Sequence, residues 1–255
     1  MSGGPGRVAA RRTIAWLGAA ALAAGLAGAR AGTASPLETI AGWEGDEFHQ
    51  GYAFATAGTF LGEGGTFSIP VQATGSYLYY DYEDRGASVA VRAPGAGAAT
   101  GIRATRSSAI WTLLAGGEVR WERRDRPGGA GADAVVAKAG AVVQGTADLK
   151  FARRVRPFLL ASYSGSARYL YGRAALRLQC SNLDWTGSTV WLVGLEGVAQ
   201  GNRDTDAVQA GALLECALTR ARASLGIHGG YKDGASPTGG RRRGGYAGLS
   251  LYRRF

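Results

Sequence analysis

The sequence predicts an all-β chain closed into an antiparallel transmembrane β-barrel of the outer-membrane kind, with about twelve strands. Three observations lead there. After residue 35 apolar residues recur with period two and never with the 3.6 period of a helix. The clearest alternating segments are long enough to cross a bilayer as tilted strands, which takes about 9–11 residues. The chain also ends on an aromatic, Phe255, at the close of the alternating stretch Gly244 to Phe255. A soluble domain usually frays at its terminus, so an apolar last residue points to an ordered, lipid-facing strand end.

The segment before this pattern has a different character. Arg7, Arg11 and Arg12 lead into an apolar run from Ile14 to Ala27, followed by small-residue sites at Ala29-Arg30-Ala31 and Gly32-Thr33-Ala34. These are the charged, apolar and cleavage regions of a secretory signal peptide. The run is shorter than the roughly 18 residues a spanning helix needs. Residues 1–31 are therefore expected to be removed, with cleavage at 34 as the alternative, leaving 35–255 as one barrel domain exported to the outer membrane. Removal takes away four arginines and no acid, so the formal charge falls from +10 to +6. Much of the basic character belongs to targeting, and no nucleic-acid partner is expected.

Taken in order, strands are expected at Leu37–Asp46, Gln50–Leu61, Thr66–Tyr82, Ala87–Arg92, Trp111–Glu122, Val136–Phe151, Val155–Ser164, Arg168–Gln179, Thr189–Gln200, Ala207–Leu218, Arg222–Tyr231 and Gly244–Phe255. Ten strands is the alternative, because Leu37–Asp46 and Ala87–Arg92 are weakly patterned. Leu61 to Thr66 reads as a hairpin turn, and Pro70, which lacks a donor, as a bulge or strand end. The Gly/Ala-rich stretch Ala93–Ser108 reads as a long periplasmic connection. With both termini in the periplasm, Asp125–Ala134, Gly201–Thr205 and Lys232–Arg243 become outward loops. Lys150–Arg154, Ser181–Gly187 and Thr219–Arg220 become inward turns. Tyr77, Tyr79, Tyr80, Tyr82, Trp185, Tyr231 and Tyr246 lie near strand ends, as aromatic girdles at the membrane interfaces do.

Alternation also sorts charge. An Arg on the lipid face at mid-bilayer costs roughly 2–4 kcal/mol, so mid-strand charges on the polar parity belong in the lumen. That assigns Glu118, Arg120, Arg173, Arg177, Glu196, Gln200 and Glu215 to the interior as candidate binding residues, either as a plug of ion pairs or as a polar path. In the last strand Leu249, Leu251 and Phe255 face lipid, Tyr246, Ser250 and Tyr252 face inward, and Arg253 sits at the interface. Cys180 and Cys216 fall on strands separated by a third. Adjacent strands lie roughly 4.8 Å apart, which puts the pair beyond disulfide reach.

Chemistry is harder to find. His228 shares the lumen parity with Ser224, which raises a lipid-modifying hydrolase, but four residues along one strand is roughly 13 Å. A tight Thr219–Arg220 turn would place Ser224 opposite Glu215 and His228 opposite Gly211, so no serine–histidine–acid chain forms. No metal-ligand spacing occurs, and neither a cofactor nor an enzymatic activity is expected. Arg241-Arg242-Arg243, in a Gly/Pro/Ser-rich loop, offers guanidinium groups to lipopolysaccharide or an acidic polymer, with a solvated loop as the simpler reading.

Two patches carry a family resemblance. Ala41-Gly-Trp43, Gly51-Tyr52-Ala53 and Gly75-Ser-Tyr77-Leu-Tyr79 form the first. Val193-Gly-Leu-Glu196-Gly-Val-Ala-Gln-Gly201-Asn202-Arg-Asp204 with Gln209-Ala-Gly-Ala212 forms the second. Together they resemble the cellulose biosynthesis protein BcsS family of outer-membrane proteins associated with bacterial cellulose production. The resemblance implies a non-enzymatic barrel that assists cellulose or exopolysaccharide biosynthesis or export, with glucan chains and cellulose-secretion proteins as partners and outer-membrane lipid or lipopolysaccharide around it. The alternative is a small porin or structural barrel with no link to cellulose. A lipid-modifying enzyme is the second alternative.

Overall fold

The computed structural model describes residues 36–62, 65–84, 87–125, 135–180, 188–202, 205–235 and 240–255. The segment read as a signal peptide, Trp185 and most of the Asp125–Ala134 and Ser181–Gly187 connections lie outside the described residues. Twelve strands follow one another: β1 (Glu38–Asp46), β2 (Gly51–Leu61), β3 (Phe67–Asp84), β4 (Ala87–Arg106), β5 (Ala109–Asp125), β6 (Val136–Leu149), β7 (Val155–Ser164), β8 (Tyr169–Gln179), β9 (Thr189–Gly201), β10 (Asp206–Leu218), β11 (Ala223–Ala235) and β12 (Arg241–Arg254). Each pairs antiparallel with its sequence neighbours, and β12 closes on β1 from Glu38↔Arg254 to Asp46↔Tyr246. Closure leaves no edge, as backbone groups in lipid require.

The burial pattern is inverted relative to a water-soluble protein. Along β9 the outward Leu195 is 70% exposed while its inward neighbour Glu196 is 6% exposed. Ile102, Trp111, Leu113, Val193, Leu225, Ile227 and Leu249 are likewise exposed apolar residues on the outward parity. Such a wall is stable only where hydrocarbon meets it. The alternation read from the sequence therefore holds for β5, β6, β9, β10 and β12.

β4 differs from the expectation. Ala93–Ser108 is not a periplasmic connection: all but its last two residues belong to a strand of 20 residues, and the turn to β5 is Ser107–Ser108. Gly and Ala are poor strand formers in isolation, but β4 is hydrogen-bonded on both sides, to β3 and to β5. Prolines mark the gaps in those ladders. Pairing between β3 and β4 lapses at Ile69 and Pro70, and pairing between β4 and β5 lapses at Ala93 and Pro94. Each proline lacks the N–H a ladder needs, so pairing resumes beyond it.

Three further expectations are corrected. Tyr80, Tyr82 and Tyr246 are not girdle residues, because their parity turns them inward; Tyr77, Tyr79 and Tyr231 do face outward. Arg241–Arg243 lie not in a loop but at the start of β12, and the β11–β12 connection shrinks to residues 236–240. The β10–β11 turn takes four residues, Thr219–Arg222, with Arg222 at φ 47. Ser224 consequently lies opposite Ala217 and His228 opposite Leu213.

Cys180 and Cys216 are free thiols. Both border Trp191 on the intervening strand: Cys216 is its register partner, and the Cys180 N–H donates to the Trp191 carbonyl at 2.9 Å. The folded protein, alkylated after denaturation without reductant, is expected to gain two maleimide labels per chain by mass. A mass short of two labels would mean that the thiols are oxidised.

Candidate functional site

Six strands contribute to one charged network inside the barrel. Glu196 on β9 has a side chain 1% exposed and pairs with Arg173 on β8, Nη2 to Oε2 at 2.5 Å. Its other oxygen accepts from the Tyr246 hydroxyl on β12 at 2.8 Å. Arg173 Nη2 also lies 3.2 Å from His228 Nδ1 on β11, and the His228 ring stands 3.8 Å from both Glu196 and Glu44. Glu44 on β1 in turn accepts from the Gln209 side chain on β10 at 2.8 Å. Above this, Lys232 donates to Asp46 at 2.7 Å.

A small backbone at one position makes the packing possible. A Cβ on residue 248 would overlap the His228 ring, so glycine at Gly248 lets β12 pass directly behind the imidazole. The chords are long. Glu44 and Gln209, Glu196 and Tyr246, and Arg173 and His228 each join strands three apart in the ring. A twelve-stranded barrel is wider than the eight-stranded kind that ordinary side chains fill. Here Arg, Glu, Tyr, His and Gln are long enough to meet between strands a quarter of the ring apart.

Further charged clusters line the lumen beside the network, and one of them joins Glu122 to Arg124 and Lys138. Glu118 on β5 accepts from the Ser164 and Ser166 hydroxyls and from the Ser166 N–H at 3.2 Å. Arg177 on β8 binds Asp148 on β6 at 2.8 Å and Glu215 on β10 at 3.4 Å. Glu38 on β1 holds Arg103 on β4 at 3.3 Å and accepts from the Tyr252 hydroxyl at 2.9 Å. Beside this last cluster, at the end of the barrel bearing both termini, a recess of about 240 Å³ is lined by Phe60, Ser68, Arg103, Thr105, Ile110 and Arg254.

Of the residues assigned to the lumen from the sequence, Arg173 and Glu196 form the central pair, Arg177 and Glu215 a second, and Glu118 the centre of a third cluster. Arg120 is buried facing the lumen. Gln200 faces inward beside its register partner Tyr171. The candidate set left out Glu44, Gln209, Asp148 and Glu38, which share the same inward parity; alternation alone puts Gln209 and Asp148 on the polar face of their strands. His228 contacts Arg173, Glu196 and Glu44, and Ser224 is not among its partners. The two patches that carry the family resemblance meet here: Glu196 and Gln209 belong to one, and Glu44 directly follows the Ala41–Trp43 run of the other.

The sequence model of the family described as cellulose biosynthesis protein BcsS matches residues 39–255. Comparison with curated protein sequences finds no match. Among solved structures, the chain is similar to the translocator domain of autotransporter NalP from Neisseria meningitidis, at 14% identity and TM-score 0.50, covering 97% of this chain and 98% of that one. It is also similar to the beta domain of the Bordetella autotransporter BrkA, at 12% identity and TM-score 0.50, covering 86% of this chain and 98% of that one. At such identities the likeness concerns the barrel fold alone.

Proposed function

Because the chain belongs to the cellulose biosynthesis protein BcsS family, we propose that it is a closed, non-catalytic outer-membrane barrel that assists cellulose or related exopolysaccharide production. It is exported through its N-terminal segment. The observation that carries this reading is the lumen. Glu196, Gln209, Tyr246, Arg120 and Leu213 all face inward and are all buried, which describes a filled scaffold better than a water-lined pore. Contacts with glucan chains or secretion proteins then fall to what remains accessible: the outer rim, and the recess beside Glu38 and Arg103 at the periplasmic mouth.

Two measurements test the reading. Deletion in the native host is expected to change cellulose yield or fibre architecture, and purified protein in planar bilayers is expected to give no sustained conductance. Unchanged cellulose would overturn the accessory role. Steady open-channel current would overturn the closed lumen and favour a porin.

A further inference from the structure

Charge is distributed unevenly along the barrel axis, and the positive excess lies at the end bearing both termini. From Glu38 onward, eleven Arg and Lys residues fall within four residues of a turn or terminus on that side, against five Asp and Glu and the terminal carboxylate. Glu63 and Asp184, in turns outside the described residues, are among those five. The other three, Glu38, Asp148 and Glu215, point into the lumen, where Arg103 and Arg177 engage them. Around the mouth, Lys150, Arg153 and Arg154 crowd the β6–β7 turn and Arg220 and Arg222 the β10–β11 turn, all five of them exposed. Among the described residues of this end, no acid is exposed.

Two phenylalanines mark where this charge meets the bilayer. Phe151 lies two residues beyond the outward Leu149, is 83% exposed, and is flanked by Lys150 and the two arginines of its turn. Phe255 carries the Arg253 guanidinium over its ring. An exposed aromatic set among cations fits the boundary of a membrane, with the ring in the acyl region and the charges at headgroup level. A zwitterionic headgroup brings no net charge to offset the excess, and an acidic protein would leave the exposed Phe151 without an apolar partner. An anionic phospholipid answers to both features. The cations are spread over separate turns on exposed side chains, so they act as a field rather than as a fitted fork.

We propose that the rim at the end bearing the termini binds the headgroups of anionic phospholipids in the adjoining leaflet, through the turns Lys150–Arg154 and Thr219–Arg222, with Phe151 in the acyl boundary. With both termini in the periplasm, that is the inner leaflet of the outer membrane. The site is independent of whether the barrel serves cellulose production.

The test uses the full-length protein reconstituted in phosphatidylcholine vesicles that contain either brominated phosphatidylglycerol or brominated phosphatidylcholine, lipids that quench tryptophan on contact. Trp111 and Trp191, on the outward parity near this end, report the contact. Wild type is expected to prefer phosphatidylglycerol by about fivefold or more, the factor that one cation near an anionic surface supplies, and the preference is expected to fall as salt is raised. Changing Lys150, Arg153 and Arg154 to Gln lowers the preference. Adding Arg220→Gln and Arg222→Gln abolishes it, because the loss of five cations cancels the excess. Lys in place of these four arginines keeps charge and keeps the preference. Heat-modifiable mobility reports that each variant is folded, a property the proposal leaves unchanged at these exposed positions. Equal quenching by the two brominated lipids in wild type would overturn the proposal and leave the rim as a surface for an acidic protein. An undiminished preference in the folded fivefold Gln variant would also overturn it, by placing the lipid contact elsewhere. Loss of preference in the folded Lys variant would overturn the electrostatic basis in favour of guanidinium geometry.

Discussion

Glu196→Ala is expected to lower the unfolding free energy of the barrel by about 3 kcal/mol, the low end of what breaking a buried ion pair costs. The carboxylate is almost wholly enclosed, and it holds both Arg173 and the Tyr246 hydroxyl. Without it, Arg173 faces His228 with its counterion gone. The penalty stays at the low end because the Arg173 side chain remains 21% exposed, and water can partly replace the lost charge. Glu196→Gln, which keeps an acceptor for Tyr246, is expected to lose less. Combining Arg173→Met with Glu196→Leu should cost less than the two single changes added together, and the difference measures their coupling. Urea unfolding in detergent micelles, followed by tryptophan fluorescence, provides the readout. An unchanged midpoint for Glu196→Ala would mean that the network does not hold the barrel interior together.

Deletion of Phe255 is expected to have the larger effect in the cell, on assembly rather than on equilibrium stability. The Phe255 N–H donates to the Leu37 carbonyl at 2.9 Å, extending the seam between β12 and β1 by one bond beyond Arg254. Its ring lies under the Arg253 guanidinium, 4.4 Å from centroid to Cζ. These two contacts together contribute only about 1–2 kcal/mol. The leverage comes from where they sit, because an unsealed barrel exposes two strand edges to lipid, with several kcal/mol lost per unpaired group. The deletion variant is expected to be depleted from the outer-membrane fraction and to lose its heat-modifiable band. Phe255→Tyr, which keeps the backbone bond and an aromatic ring, should assemble. Normal insertion of the deletion variant would remove Phe255 from the closing mechanism.

The contrast between strands shows how far sequence reasoning reaches. β9 was legible because Trp191, Val193 and Leu195 alternate with Glu196, and bilayer and lumen impose opposite chemistries on successive residues. β4 was legible only for its first six residues. Its Gly/Ala-rich remainder offers no side-chain contrast to read, and its order comes from the ladders on either side. Tyr246 shows a third case. Its position near a strand end suggested a girdle while alternation in the last strand turned it inward, and its bond to Glu196 decides for the lumen.

The sequence by itself determined the membrane-spanning barrel, the family, and which faces of most strands are wet or oily, since period-two alternation is local and survives in any register. It determined that Cys180 and Cys216 stay apart, because strand spacing alone separates them. Only the tertiary structure decided which inward groups meet. The partners of Glu196 come from β8 and β12 and those of Glu44 from β10 and β11, so they depend on ring closure, strand stagger and the four-residue turn that sets the β10–β11 register. The same holds on the outer wall, where Arg92 and Arg123 are neighbours because β4 continues past Pro94 as a strand. Distances across a closed sheet are global quantities, and no local pattern in the chain encodes them.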